Sequence, residues 1–289
     1  MRPPFLLLTV AMMVLVAALA SYEGYRWSTP LFVLICLAAL AAHLAVNLLN
    51  EYEDFESGLD AITQRTPFSG GSGALQVEPR AAQAVAAAGY FCLGFLITLG
   101  AFFVQLRGEW VLLIGLLGVV VIVSYTSFIT RHPWLCLVSP GLAFGPFMIV
   151  GGTLVLTGEF SWLAFWVSWI PFLLVNNLLL LNQFPDEAAD QRLGRFNIIM
   201  QWGHARSFGV FLLFWGLAYG VLAWLILLQW LPLASASGFV TLPWVWAMGY
   251  KLRNRTRDLI QLTPLLAMNV AATLLLPVLI AFGLYYDVA

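Results

Sequence analysis

The chain has 289 residues, of which 62% are hydrophobic and only 9% charged, with a mean hydropathy of +0.90. Soluble domains carry roughly 25% charged residues, so this composition excludes an ordinary water-soluble globule and points to an all-α, polytopic membrane protein embedded in the lipid bilayer. The net charge of -1 gives no case for a nucleic-acid partner.

A spanning helix needs about 20 mostly apolar residues. About nine runs qualify, in chain order 4–21, 31–50, 83–104, 110–128, 135–157, 161–183, 207–230, 232–250 and 263–286. The first, within "MRPPFLLLTVAMMVLVAALASYEG", has the basic start and small-residue ending of a signal peptide. Its near-full apolar length and the many runs behind it favour a retained span. Cys36, Cys92 and Cys136 fall in apolar runs without paired spacing and read as buried thiols. Trp110, Trp162 and Trp244 sit near the ends of runs, where tryptophan anchors helices at the membrane surface.

Basic residues sort sharply between alternate connections. One side receives Arg2, Arg65, Arg80, Arg131, Arg192, Arg195, Arg206, Lys251, Arg253, Arg255 and Arg257, and the other only Arg26 and Arg107. Positive charge is retained in the cytoplasm, which places the N-terminus inside and the C-terminus outside. The cluster "KLRNRTRD" from Lys251 suits this topogenic role and attraction to anionic lipid.

Two connections on that cytoplasmic side are acidic. The first, 51–82 after span 2, opens with "NLLNEYEDFESGLD", which holds Glu51, Glu53, Asp54, Glu56 and Asp60. The second, 184–206 after span 6, contains "NQFPDEAADQRLGRFN" with Asp186, Glu187 and Asp190. An even number of spans separates the two, so both emerge on one face. The arrangement suggests a single membrane domain over 1–289 built as two four-helix halves plus a ninth span.

Helical spacing then orders the side chains. Asn47, Glu51 and Asp54 fall at i, i+4 and i+7, and Asn182, Asp186 and Asp190 at i, i+4 and i+8, although Pro185 should kink or end its helix. Carboxylates beside hydrocarbon are costly and repel one another, and a cation relieves both costs. Hard oxygen ligands suit magnesium, which takes one or two carboxylates plus a substrate phosphate. Two facing clusters therefore suggest a diphosphate held between Mg2+ ions. Glu53, Glu56 and Glu187 fit ordinary solvated surface.

At these residues the chain resembles the UbiA-type intramembrane prenyltransferases. The first stretch is similar to the quinone-pathway motif N-x-x-N-D-Y-x-D-x-x-x-G-x-D, matched by Asn47, Asn50, Tyr52, Asp54, Gly58 and Asp60, with Glu51 replacing an aspartate. The second resembles N-x-x-x-D-x-x-x-D-x-x-x-G-K-x-T, matched by Asn182, Asp186, Asp190 and Gly194, with Arg195 for lysine and Asn197 for threonine. "QRTPFSGGSG" resembles the loop after the first motif, where Arg65 matches. "SYT" at 124–126 resembles a family signature that lacks here its following Pro-Pro.

The resemblance implies a transferase that ionises an isoprenyl diphosphate and lets an aromatic acceptor attack the allylic cation. Asp54, Asp60, Asp186 and Asp190 would hold Mg2+, with Asn50 and Glu51 assisting. Arg65 and Arg195 would neutralise the departing diphosphate, and Asn47, Asn182 and Tyr125 would contact substrate. The first motif favours 1,4-dihydroxy-2-naphthoate as acceptor and hence menaquinone synthesis in a prokaryotic cytoplasmic membrane. 4-Hydroxybenzoate, homogentisate, chlorophyllide and a glycerol lipid are open alternatives. A cation transporter is the rival of another class, but it would need further ionisable residues deep in several spans. His43, one turn before Asn47, could face the same cavity or serve packing. Asn176 and Asn177 could line the cavity or bond a neighbouring helix. His132 and His204 are expected to be solvated.

Overall fold

The computed structural model describes residues 3–63, 65–68, 70–252 and 259–288. Arg2, Arg253, Arg255 and Arg257, used above for orientation, lie outside the described residues. The helices are α1 (Leu7–Tyr22), α2 (Thr29–Glu56), the short α3 (Leu59–Ile62) and α4 (Ala74–Val77), α5 (Ala82–Arg107) and α6 (Glu109–Ser124). There follow α7 (Pro133–Leu142), a π-helical stretch (Ala143–Val150), α8 (Gly151–Thr157), α9 (Trp162–Arg192) and α10 (Ile198–Leu227). A 3-10 run (Leu233–Thr241), α11 (Leu242–Leu252) and α12 (Leu259–Val288) complete the chain.

Seven helical stretches are long and apolar enough to cross a membrane: Pro4–Tyr22, Thr29–Glu56, Pro79–Arg107, Pro133–Thr157, Trp162–Arg192, Ile198–Leu227 and Leu262–Val288. Of the other two expected spans, Glu109–Ser124 is apolar but only 16 residues long. The remaining one, 232–250, is a 3-10 run joined to an 11-residue helix. Its small-residue sequence "LASASGF" winds tightly against α12, where the backbone at Gly283 lies so close to Ser235 that a Cβ would overlap it. Among the described residues, then, seven stretches meet the length and polarity criterion where nine were expected.

The first apolar run is a core helix. Met12, Leu15, Val16 and Leu19 on α1 are completely buried, and α1 packs on α2, α8 and α12. Elsewhere α2 packs on α5, α5 on α6, and α9 lies between α7, α10 and α12. Close approach of α9 and the π-helical stretch depends on Gly145, whose missing Cβ would stand 2.5 Å from the Ser168 carbonyl oxygen. Buried asparagines cross-link the bundle. Asn176 Oδ1 accepts from Gly141 N at 2.7 Å, Asn177 Nδ2 donates to the Phe211 carbonyl at 2.8 Å, and Asn269 Oδ1 accepts from Trp215 Nε1 at 3.3 Å. Asn176 and Asn177 thus bond neighbouring helices.

Both acidic segments are more helical than their polarity suggests. α2 runs unbroken to Glu56, carrying Glu51 and Asp54 on its last two turns. The segment 184–206, read as a connection, is instead the end of α9 and the start of α10, with only 193–197 between them. Pro185 does not end α9, which continues to Arg192. Its missing N–H costs one intrahelical bond, and packing against α7 and α10 holds the helix through it. Trp110, Trp162 and Trp244 all lie exposed on the surface, as expected of interfacial anchors.

Candidate active site

The ends of α2 and α9 meet at one end of the bundle, where they close over a cavity of about 1460 Å³. Asn47, Asn50, Glu51 and Asp54 line it from α2, Asp60 from α3, and Asn182, Asp186 and Asp190 from α9. Arg195, Asn197 and Tyr125 complete this polar end. The helical spacing expected for both motifs is therefore realised, each with its polar face on the same space. The remaining wall is apolar and includes Ile35, Ala38, Ala39 and Phe144, with Phe103, Val111 and Val155 toward the far end.

Each end is shaped by local chemistry. After α2, Gly58 adopts a left-handed backbone (φ 77°) that only glycine takes at little cost. It turns the chain into α3 and sets Asp60, only 2% exposed, beside the cavity. Ser72 N donates to Glu51 Oε2 at 3.4 Å, and the Ser72 hydroxyl also donates to the Glu51 carboxylate. Asn50 Nδ2 donates to Thr126 Oγ1 at 3.0 Å, tying α2 to the segment after α6.

At the α9 end, Gly194 (φ 69°) makes the turn into α10. Asn197 then caps α10, its Oδ1 accepting from Ile199 N and Met200 N at 3.1 and 3.2 Å. The same side chain donates from Nδ2 to Asp190 Oδ2 at 3.1 Å. Sequence reading treated Asn197 only as a departure from threonine; its signal was its place just before an apolar helix.

Arg195 joins the two ends. Its guanidinium is ion-paired with Asp54 on α2, and its Nη1 stands 3.9 Å from Asp190 Oδ1 on α9. Burial opposes its charge, but Asp54 and Asp190 outweigh burial and hold the guanidinium more basic than usual. Burial, then the charge of Glu51, raises the Asp60 carboxyl above the ordinary carboxylate range. Burial also raises the Tyr125 phenol well above its ordinary value, so it stays neutral.

Arg65 does not share the cavity. It is exposed and donates from Nη2 to the Asp60 backbone oxygen at 3.0 Å, bracing the turn, while its charge still favours the ionised Asp60 carboxyl. His43 lines the cavity but is satisfied, with Nδ1 2.7 Å from Thr9 Oγ1 and its ring edge-on to Phe144. His132 is exposed, as expected, although its Nδ1 bonds the Phe128 carbonyl oxygen at 2.9 Å. His204, expected to be solvated, is half-buried, with Nε2 2.7 Å from Glu187 Oε2 in a hydrogen bond.

Among the described residues no three His, Cys, Asp or Glu side chains are grouped closely enough to form a ready metal cage. The donor set nevertheless fits a hard divalent cation. Five carboxylates face one cavity, and Asp60 Oδ2 is buried with no hydrogen-bond partner among the described residues. An orphaned carboxylate oxygen at that depth is costly unless a cation completes it.

Comparison with known proteins adds the lineage. The model of the UbiA prenyltransferase family matches residues 6–271. A 1,4-dihydroxy-2-naphthoate octaprenyltransferase of Bacillus subtilis (strain 168) is 28% identical over 177 residues, which is 60% of this chain and 55% of that protein. The apo structure of a UbiA homologue from Aeropyrum pernix K1 has a TM-score of 0.73 at 18% identity, over 100% of both chains. A UbiA homologue from Archaeoglobus fulgidus, solved with DMAPP and Mg2+, has a TM-score of 0.63 at 14% identity over 98% of both chains. At these identities the structural likenesses speak to the fold.

Proposed function

The chain belongs to the UbiA prenyltransferase family, and from that premise we propose that it moves a polyprenyl group from an isoprenyl diphosphate to an aromatic acceptor. 1,4-Dihydroxy-2-naphthoate is the first acceptor to test, on the strength of the first motif and of the Bacillus subtilis relative. The observation that carries the proposal is the meeting of two carboxylate-bearing helix ends over one deep apolar cavity. Mg2+ fits the oxygen donors, and its presence with DMAPP in the Archaeoglobus relative supports the same choice here.

Asp54, Asp60, Asp186 and Asp190 would hold Mg2+ at the mouth of the cavity. When bound, the metal would neutralise charge growing on the diphosphate as the allylic C–O bond breaks. Among the described residues, Arg195 is the arginine that lines the cavity and would face that leaving group. The apolar wall shields the allylic cation from water until the ring carbon of the acceptor attacks it and loses a proton. Neutral Tyr125 and the amides of Asn47, Asn50 and Asn182 provide hydrogen bonds without adding charge.

The cavity also bears on the prenyl group. Its wall along α2 runs from Ile35 to Asp54, about 28 Å at 1.5 Å per residue. That depth suits a tail of several isoprene units better than a five-carbon one. In this reading the whole chain works as one membrane domain in a prokaryotic cytoplasmic membrane. Its acidic end and N-terminus are inside and its C-terminus outside, following the basic residues.

The test is transfer by purified protein with Mg2+, labelled prenyl diphosphates of several lengths and a panel of aromatic acceptors. Prenylated naphthoate with a long-chain donor is the expected product. No product and no released diphosphate with any pair would overturn the proposal.

A further inference from the structure

Arg195 occupies the place where a bridging cation would be needed. Without metal, Asp54 and Asp190 face each other from two helices at the edge of an apolar cavity, which demands a counter-ion. The guanidinium supplies it, pairing with Asp54 while standing 3.9 Å from Asp190. A planar fork with five donors can address two carboxylates at once, which the compact ammonium of lysine does poorly. Asp190 is held independently, since Asn197 fixes its other oxygen from the cap of α10. The acids sit on helix ends, and Arg195 reaches both of them from the turn after α9 on a long side chain.

We propose that Arg195 is a resident counter-ion that makes the acidic site refuse free Mg2+ and accept the cation only together with a diphosphate. Free Mg2+ must displace the guanidinium from Asp54 and compete with it for Asp190, leaving a largely buried charge poorly paired, at a cost. A diphosphate removes that cost by offering Arg195 new oxygens, so cation and diphosphate bind cooperatively. Loading is then an exchange of partners: Asp54 passes from arginine to metal, and arginine passes to phosphate. Arg195 so controls which ligand the site takes, beyond any part it plays in the reaction. The inference rests on the diphosphate-transfer reading of the same cavity.

Thermal unfolding of the detergent-purified chain, followed by tryptophan fluorescence, reads this without catalysis. Mg2+ alone, inorganic pyrophosphate alone and the two together are titrated against wild type, Arg195→Met and Arg195→Lys. Wild type should be stabilised by Mg2+ plus pyrophosphate and hardly by Mg2+ alone. Arg195→Met should bind Mg2+ alone about tenfold or more tightly than wild type, in the range of ordinary coupling. Its metal-free form should melt earlier, because Asp54 and Asp190 lose their counter-ion. Arg195→Lys should fall between them, and keeps the test decisive if the methionine variant does not fold. Wild type binding Mg2+ equally well with and without pyrophosphate overturns the proposal, as do variants that match wild type with Mg2+ alone. A wild type that ignores Mg2+ and pyrophosphate together overturns the diphosphate reading as well, which separates the two failures.

Discussion

The two acid-bearing ends of the cavity do the same geometric job by different means. Around α2, the carboxylates are held by a long stretch that folds back on them: Ser72 bonds Glu51, Arg65 bonds the Asp60 backbone, and the two partners lie 21 and 5 residues away in sequence. Around α9, a five-residue turn suffices, and one side chain, Asn197, both starts the next helix and holds Asp190. The first end is built by loop folding and the second by helix capping. Substitutions in the first should act mainly on ligand affinity, whereas those in the second should act on stability and affinity together.

The largest effect should come from removing a carboxylate at either end. Asp54→Asn and Asp186→Asn should each lower prenyl transfer by about a thousandfold or more, with helical content by circular dichroism unchanged. A large loss at one end and a small loss at the other would break the symmetry of function between them. Stripping divalent cations with a chelator should abolish transfer, and added Mg2+ should restore it.

Asn197 sharpens the comparison next. Asn197→Ala should destabilise the chain by about 1 kcal/mol through the lost cap and also weaken Mg2+ plus pyrophosphate binding. Asn197→Thr keeps a capping oxygen but loses the longer amide arm whose Nδ2 donates to Asp190, so melting should stay near wild type while binding falls. Wild-type melting and wild-type binding in Asn197→Thr would mean that the cap is all Asn197 provides. Ser72→Ala should weaken binding of Mg2+ with pyrophosphate by about tenfold, the worth of one hydrogen bond to a charged partner, without moving the melting temperature. Arg65→Gln should show the smallest change, about twofold in turnover, since its guanidinium braces backbone and is exposed. A loss near that of Asp54→Asn would return Arg65 to the catalytic group.

Much of this was legible in the residues because hydrocarbon length and motif spacing are local properties. Seven apolar runs became long helices, and the i, i+4, i+7 spacing of Asn47, Glu51 and Asp54 survived because α2 extends through them. What misled was polarity taken as a sign of loop. The acidic stretch after Leu181 is helical because it faces a cavity and flanking helices rather than bulk water. Partner choice was also illegible: nothing in the spacing says that Arg65 turns to a carbonyl while Arg195 crosses to Asp54, 141 residues away. The paired asparagines of α9 illustrate the same limit, since a buried amide can serve a ligand or a neighbouring backbone, and only packing decides.

The shape of the cavity has an outcome for traffic. Its polar end and its apolar wall suit different solvents, so the two products of the proposed reaction would part by polarity. Pyrophosphate would depart into water past the α2 and α9 termini, while the prenylated ring, tethered by its tail, would be left to the lipid.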